Sequence, residues 1–339
     1  MNKKMWALLV HLSERNWYSL SDGIKYTGEG LPLDEDFWEY ILLESVKAGI
    51  NTIVLDAEDG IQYLSHPEIA AEGAWTRKRV SDEVKRCREL GITLIPKLNF
   101  AATHSFWLGE YRRMTSTNVY YKVCRDLIKE VYEMFDSPEY IHIGMDEESA
   151  QYCAHHDYVM YRQGELYWHD LRFLMDCVHS TGAKPWLWSN PLFEHPEEYR
   201  ERFDADEAIL SPYYYNAFRR EHWTPIESRQ EYVTYYNEGK YAEMGIKFVE
   251  EDPFLVDFRE KALPLMEHGY KYIPCASVFN RCDWNTHDLL EYFKENAPDE
   301  QIIGYITAPW FFGEWSKKQY FDESFKFLKE AKEKFYKNV

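Results

Sequence analysis

The sequence of 339 residues contains no long apolar run. Its apolar stretch from Met5 to Val10 is far shorter than the roughly 20 residues of a membrane-spanning helix. No small-residue cleavage site follows that stretch. We therefore expect neither a secretory signal nor a membrane partner.

Cysteine and histidine motifs are also missing. The six cysteines form no CxxC pair and lie mostly within helix or strand patterns, which favours small buried thiols over disulfides or metal ligands. Reduced thiols are typical of a cytoplasmic protein. Barrel metallohydrolases usually carry HxH at the end of the first strand, whereas His11 is followed here by Leu12 and Ser13. The sequence thus predicts no metal site, and we expect no cofactor.

Basic residues are few relative to acidic ones. Lys and Arg number 39 against 58 Asp and Glu, which gives a formal net charge of −19. Such a charge disfavours nucleic acids and anionic membranes as partners, so we expect a neutral or cationic small substrate. Aromatic residues are abundant, with 12 Trp and 27 Tyr. Their flat apolar faces and polar edges suit sugar rings.

One pattern recurs along the chain: an amphipathic helix ends at a glycine, and a short apolar strand begins within two residues. It occurs as ESVKAG before INTIVLD, CRELG before ITLIPKLNF, VHSTG before AKPWLWS, and MEHG before YKYIPCASV. The glycines that follow these helices are predicted to adopt the left-handed conformation, which costs glycine nothing because it has no Cβ. They are Gly49, Gly91, Gly182 and Gly269.

Four further apolar runs bring the predicted strands to eight: MWALLVHL, YIHIGM, AILSPYYY and IIGYITAPW. Helices are predicted between them, among others at 34–48, 116–135, 164–180, 252–267 and 317–337. Eight alternations of strand and helix without a linker predict an α/β fold, a single (β/α)8 TIM barrel over residues 1–339. The alternative is a doubly wound open sheet, which the absence of GxGxxG after the first strand weakens.

Catalytic residues of such barrels lie at the carboxyl ends of the strands. The fourth predicted strand ends in IHIGMDEES, where a period of two places His142, Gly144 and Asp146 on the inward face, with Glu147 at the start of the loop. Burial there would raise the pKa of a carboxyl group towards that of a general acid. An ordinary solvated loop start is the alternative interpretation of this segment.

The run His142-Ile143-Gly144-Met145-Asp146-Glu147 resembles the strand-four signature of the family 20 glycoside hydrolases, the β-N-acetylhexosaminidases. That signature is His-hydrophobe-Gly-Gly-Asp-Glu. Residues 56–75 are similar to the family's segment after strand two, and residues 91–104 to its strand-three motif leading to a His. The three motifs follow in order over about residues 51–150, whereas the second half of the chain matches only in architecture.

The resemblance implies roles for the adjacent acids. Asp146 would orient and polarise the 2-acetamido group of the substrate, which attacks the anomeric carbon, and Glu147 would protonate the leaving oxygen. Glu148 has no counterpart in the motif and is interpreted as a salt-bridge or loop residue. The chain departs from the family at Lys97 and Asn99, where the family has Glu and Asp.

Two further departures concern the same region. His104 falls one position later than the family's His, and Met145 replaces the second glycine of strand four. The candidate substrate-binding residues are the polar and aromatic side chains that follow the predicted strands. They are Asp56, Glu58, Asn99, His104, His142, Trp188, Tyr214, Trp310 and Glu314. A core position is the alternative for the aromatic residues, and a loop-capping role is the alternative for Asp56 and Glu58.

These observations predict a cytoplasmic, retaining glycoside hydrolase that acts on a small β-linked amino-sugar glycoside or related oligosaccharide. The alternative is a carbohydrate-binding or regulatory barrel that has lost catalysis. Lys97 and Asn99 favour the alternative, and the intact Asp146-Glu147 pair favours the enzyme. The sequence specifies neither the sugar, nor the linkage, nor the oligomeric state.

Overall fold

A computed structural model describes residues 4–13, 30–154, 159–219, 222, 253–279 and 282–337. Nine parallel strands form one sheet in the order β7-β6-β5-β4-β3-β2-β1-β9-β8. The strands are β1 (Met5–His11), β2 (Thr52–Asp56), β3 (Thr93–Lys97), β4 (Tyr140–His142), β5 (Lys184–Trp188), β6 (Ile209–Ser211), β7 (Lys271–Tyr272), β8 (Cys275–Ala276) and β9 (Gly304–Thr307). This curved sheet surrounded by helices is consistent with an α/β barrel.

Helices follow most strands. The α-helices of the described residues are α1 (Glu35–Ala48), α2 (Arg77–Glu89), α3 (Asn118–Met134), α4 (Ala150–Cys153), α5 (Glu165–His179), α6 (Asn190–Glu194), α7 (Pro196–Arg202), α8 (Pro253–Glu267), α9 (Asn285–Asn296) and α10 (Lys318–Phe335). Helix α3 shows why they form: the Thr117 side chain accepts a hydrogen bond from the Tyr120 backbone N–H at its start. Its buried side chains recur every three or four residues, which gives the helix one apolar face.

Alternate residues of the strands belong to two separate apolar clusters. Ala7, Leu9 and Val54 pack with inward residues of the other strands. Their neighbours Leu8 and Ile53 pack against the helices. Because of this period of two, the inward-facing residue at the carboxyl end of several strands is polar, and these polar side chains lie on the inner side of the sheet.

The four predicted glycine positions are confirmed, with φ of 72° at Gly49, 75° at Gly91, 98° at Gly182 and 76° at Gly269. All six cysteines are buried and free. None of the helices in the described ranges has the length and apolar character needed to cross a bilayer.

The predicted seventh strand is the main correction. The sequence indicated one continuous strand over YKYIPCASV, but the structure divides it into β7 and β8 around Ile273 and Pro274. Proline has no N–H to donate to a ladder. The segment still forms hydrogen bonds on both sides: Ile273 N donates to Leu210 O in β6, and Ile306 N in β9 donates to Pro274 O.

Candidate active site

The turn after β4 has an unusual backbone. Gly144, Met145 and Glu147 have φ of 71°, 69° and 54°, in the left-handed region that non-glycine residues rarely adopt. Such conformations cluster at functional sites, where the surrounding structure holds them. The turn presents Asp146 and Glu147 at the carboxyl end of the barrel.

Asp146 is buried and lies between two partners. Its Oδ1 accepts a hydrogen bond from Asn99 Nδ2 at 2.8 Å, and its Oδ2 lies 3.5 Å from His104 Nε2. Burial raises the pKa of the Asp146 carboxyl, and the positive charges of His104 and Lys97 only partly counteract this effect. The carboxylate is therefore poorly solvated and oriented by fixed donors.

Glu147 is the more accessible acid of the pair, with about a third of its side chain exposed. Its Oε2 lies 3.2 Å from the same His104 Nε2. Burial alone would lower the pKa of His104, but the neighbouring Asp146 and Glu147 carboxylates raise it above the ordinary value. One imidazole thus links a buried acid to an acid at the surface, which is an arrangement suited to proton transfer.

Gly144 is needed so that Asn99 can reach Asp146. A Cβ at Gly144 would stand 1.9 Å from Asn99 Oδ1, closer than any real contact. Asn99 Oδ1 also accepts from the backbone N–H of Ala101 at 3.0 Å and of Met145 at 3.3 Å. The amide therefore joins the strand-three loop to the strand-four turn.

Beneath these residues lies a cluster of buried charges. Lys97 Nζ is 2.9 Å from Asp56 Oδ2 and 3.8 Å from Glu58 Oε1. Asp56 Oδ2 also lies 2.8 Å from His11 Nδ1. Lys97 therefore points towards the two acids, and its charge is neutralised there. Glu58 Oε1 also accepts from the Asn99 backbone N–H at 2.9 Å, which connects this cluster to the site.

The pKa values of the two acids of the cluster are shifted in opposite directions. Burial opposes ionisation of both, but the Lys97 ammonium and His11 hold the pKa of Asp56 well below its usual range. Burial and the nearby Asp56 carboxylate raise the pKa of Glu58 well above its usual range. These shifts favour ionisation of Asp56 over ionisation of Glu58.

Aromatic rings form one side of the site. The Trp188 ring is buried and lies 5.6 Å from the Trp310 ring and 5.7 Å from the Tyr213 ring, between centroids. Tyr215 stacks on Tyr213 at 5.2 Å and meets Trp310 at 6.0 Å. Burial, together with the negative charges of Glu147 and Asp146, raises the pKa of Tyr213 well above its ordinary value, so both carboxylates act electrostatically on its hydroxyl.

Two predicted residues are buried among aromatic rings. Tyr214 packs between Phe218 and Phe258 in the outer apolar cluster, away from the other rings. His142 is fully buried between the Trp186 and Trp188 rings, and its Nδ1 accepts from the Gly144 N–H at 3.0 Å. Burial and the charge of Lys97 lower the pKa of His142 well below its ordinary value.

Glu314 lies in the loop after β9 and is partly exposed. Its Oε2 accepts a hydrogen bond from Ser316 Oγ at 3.0 Å. No contact with the Asp146-Glu147 pair is recorded for it among the described residues, so a sugar-binding role stays a prediction.

Glu148 is the third acid of the turn and makes the ion pair that the sequence suggested. It is buried and meets the buried guanidinium of Arg162 through both carboxylate oxygens, with Arg162 Nε donating to Oε1 at 2.5 Å. Arg162 could not be identified from the sequence, because a lone arginine in a loop is not a motif. Tyr213 and Tyr215 were detectable, since they share parity with the inward residues Ile209 and Ser211.

The fold and the site define a barrel-type α/β protein with a carboxyl pair, a bridging histidine and an aromatic side at its strand ends. Among the described residues, no group of three or more His, Cys, Asp or Glu side chains is arranged to hold a metal ion. What the arrangement can do is donate a proton from an accessible acid beside a buried carboxylate.

Comparisons with known proteins identify structural relatives only. No protein-family model matches the chain, and no curated protein matches it in sequence. The β-N-acetylhexosaminidase from Bacteroides fragilis superimposes with a TM-score of 0.55 at 12% identity, over 91% of this chain and 60% of that one. The family 20 enzyme of Streptomyces coelicolor gives 0.57 at 12% identity, over 95% and 63%. Dispersin B gives 0.55 at 12% identity, over 97% and 98%.

The chain is therefore similar in fold to family 20 β-N-acetylhexosaminidases, and the structural resemblance that the strand-four motif indicated is confirmed. The chain spans less than two thirds of the length of the Bacteroides and Streptomyces enzymes, 60% and 63% respectively. It spans nearly all of Dispersin B, at 98%.

Proposed function

We propose that this protein is a divergent family 20 glycoside hydrolase that cleaves a small β-linked amino-sugar glycoside or related oligosaccharide with retention of configuration. The observation that carries the proposal is the pairing of buried Asp146 with accessible Glu147 on one imidazole. The aromatic rings beside the pair offer faces for a sugar. The similar fold of the β-N-acetylhexosaminidase structures supports the same assignment.

In the proposed mechanism Asp146 acts first. Its carboxylate, fixed by the Asn99 amide, orients the substrate's 2-acetamido group so that the acetamido oxygen attacks the anomeric carbon. Positive charge then develops on the resulting oxazolinium ring, and the carboxylate stabilises that charge more than it stabilises the ground state. Tyr213 replaces Tyr214 as the proposed aromatic contact, because its ring packs against Trp188 on the inner side of the sheet, whereas Tyr214 packs in the outer apolar cluster.

Glu147 would protonate the departing oxygen as the carbon–oxygen bond breaks, and would then deprotonate the water that opens the ring. His104 touches both acids and would stabilise the negative charge left on Glu147. The two carboxyl groups need not flank the bond, as they do in a two-carboxylate mechanism, because the nucleophile belongs to the substrate.

The same proposal extends to the whole chain. We propose that β7 and β8 are two parts of one strand, so that the sheet closes as a (β/α)8 barrel, and that residues 1–339 form one domain. The hydrogen bonds from this segment to both neighbouring strands support the closure. A cytoplasmic location stays a prediction from the free thiols.

A catalytically inactive carbohydrate-binding or regulatory barrel is the second candidate. Lys97 and Asn99 stand where family 20 has acids, and this observation favours it. Lys97 is neutralised by Asp56, however, and Asn99 orients Asp146. The two exchanges thus leave the acid pair intact, which favours the enzyme.

A panel of aryl β-glycosides tests the proposal. We expect cleavage of the 2-acetamido glycosides and little cleavage of matched glycosides with a 2-hydroxyl group. On a substrate with a poor leaving group, Glu147→Gln should lower kcat by about 100- to 10,000-fold, the usual contribution of a general acid. A wild-type kcat in Glu147→Gln would contradict the assigned role.

A cyclic thiazoline mimic tests the role of Asp146. It resembles the oxazolinium intermediate, so wild type should bind it at least about 100-fold more tightly than Asp146→Asn, as expected for loss of an electrostatic transition-state contact. Binding of a plain aryl glycoside should change much less, because its charge is not yet developed. Equal cleavage of glycosides without the acetamido group would show different chemistry, and sugar binding without cleavage would support the inactive barrel.

A further inference from the structure

We propose that Arg162 is a positioning residue that holds the strand-three and strand-four loops together and thereby sets the geometry of the acid pair. The expected effect of Arg162 on catalysis rests on the proposed function. It concerns residues outside the strand-four motif, since neither Arg162 nor its partner Glu148 belongs to that signature.

The first step is the contact between Arg162 and the strand-four turn. Its guanidinium donates to both oxygens of Glu148, the residue directly after Glu147. Its Nη2 also lies 4.0 Å from the Met145 sulfur. Both ends of the Met145–Glu148 turn therefore touch one rigid, planar cation.

The second step is the contact with the strand-three loop. Arg162 Nη2 donates to the Phe100 carbonyl at 2.8 Å. Glu148 Oε2 accepts from the Ala102 backbone N–H at 2.9 Å. Phe100 and Ala102 lie between Asn99, which orients Asp146, and His104, which bridges the acids. The ion pair therefore clamps the loop that carries the partners to the turn that carries the acids.

The third step concerns strain. Met145 and Glu147 both have left-handed φ values, a conformation that is unfavourable for non-glycine residues and persists only where neighbours enforce it. The Glu148-Arg162 pair is a buried, charged contact of this turn, with side-chain exposures of 2% and 1%. Arg162 is itself anchored from behind by Asp170, whose Oδ2 lies 3.5 Å from Nη1.

The consequence is that loss of Arg162 should release the turn. Asp146 would then separate from Asn99 and His104, although each of those residues is unchanged. A displacement of about 1 Å at reacting groups costs on the order of 100-fold in rate. Substrate binding by the aromatic side should suffer less, because none of its rings contacts Arg162 among the described residues.

The test compares Arg162→Met and Glu148→Gln with Arg172→Met. The control variant removes Arg172, which forms an ion pair with Glu207 outside the site. We expect kcat of Arg162→Met to fall about 100-fold with KM changed less than about threefold, a larger fall than in Glu148→Gln. Glu148→Gln keeps an acceptor for Ala102, which makes it the milder variant if Arg162→Met does not fold. Arg172→Met should lose thermal stability only.

A second readout does not depend on activity. NMR titration of the His104 imidazole, assigned with His104→Gln, should show its pKa falling towards the ordinary value of about 6.5 in Arg162→Met and Glu148→Gln, because the acids move away from it. An unchanged His104 titration in folded variants overturns the inference. A wild type that cleaves no glycoside overturns the proposed function instead, and the titration then still decides the role of Arg162.

Discussion

At the residue scale, the buried cluster around Lys97 shows how an exchange of charge is accommodated. A cation where family 20 has an acid would disturb a site that stabilises positive charge. In this chain Asp56 neutralises it at 2.9 Å, and Glu58, whose pKa is raised by burial and by the Asp56 carboxylate, completes the cluster. Breaking a buried ion pair typically costs about 3–5 kcal/mol, so the cluster should be sensitive to single substitutions.

Glu58 allows a pH-dependent prediction. Its pKa is raised in the folded protein, so the folded state holds a proton that the unfolded chain releases near its ordinary pKa of about 4.3. Stability from this group is present below that pH and is lost as the pH rises through the folded pKa. Glu58→Gln mimics the protonated acid and should remove this loss, whereas Glu58→Ala should destabilise at every pH.

Chemical unfolding of both variants between pH 4 and 9 measures the effect. The slope of unfolding free energy against pH should become less negative in Glu58→Gln, by up to about 1.4 kcal/mol per pH unit. Asp56 has the opposite effect on the pH dependence of stability, because its pKa is lowered in the folded protein. Its contribution to the unfolding free energy is lost only on acidification. An identical slope in wild type and Glu58→Gln would mean that Glu58 is not protonated in the folded state.

At the scale of the element, the strand-four turn depends on a glycine for two separate reasons. Gly144 has a left-handed φ, and its Cα faces the Asn99 side chain. Gly144→Ala should therefore lower the unfolding free energy by more than the roughly 1 kcal/mol of conformational cost. It should also push Asn99 away from Asp146 and reduce kcat.

Gly91→Ala is the matched control, because Gly91 has a similar φ of 75° and nothing within 4 Å of an added Cβ. It should lose the conformational term alone and keep full activity. In the double variant Gly144→Ala, Asn99→Ala the steric loss due to the Asn99 side chain should disappear, and the loss due to the 2.9 Å approach to the Asn99 Cα should remain. Equal losses in Gly144→Ala and Gly91→Ala would refute the role assigned to the Asn99 contact.

Sequence reasoning succeeded where local periodicity and chemistry agreed. The inward parity of strand four predicted the position of Asp146, and the glycine pattern predicted helix ends. It selected Tyr214, which packs in the outer apolar cluster, although the alternation that identified Asp146 would have favoured Tyr213 and Tyr215. Pro274 has no backbone N–H, which could have indicated a break in the strand. The apolar run around it instead favoured one continuous strand. Arg162 depends on a tertiary contact that no local pattern encodes.

At the scale of the whole molecule, the sheet joins β1 to β9 as well as to β2. Met5 is the register partner of Gly304, and a Cβ at Gly304 would stand 2.0 Å from the Met5 carbonyl oxygen. Gly304→Ala should force the two strands apart and lower the unfolding free energy by at least about 1–3 kcal/mol, the usual cost of overpacking.

Thermal and urea unfolding measure this loss. Because the obstructing atom belongs to the backbone, the double variant Met5→Ala, Gly304→Ala should stay destabilised. Recovery in that variant would show that the Met5 side chain is the obstacle. Wild-type stability of Gly304→Ala would show that the pairing of β1 with β9 is not tight.

The two strands that pair with β1 also differ in their distance from it along the sequence, and therefore in the length of the loop that each pairing closes. Pairing with β2 closes a loop of about 45 residues, and pairing with β9 closes one of about 300. The longer loop loses roughly 2 kcal/mol more chain entropy. We therefore expect the seam between β1 and β9 to form after the folding transition state. Gly304→Ala should accordingly speed unfolding while leaving the refolding rate nearly unchanged.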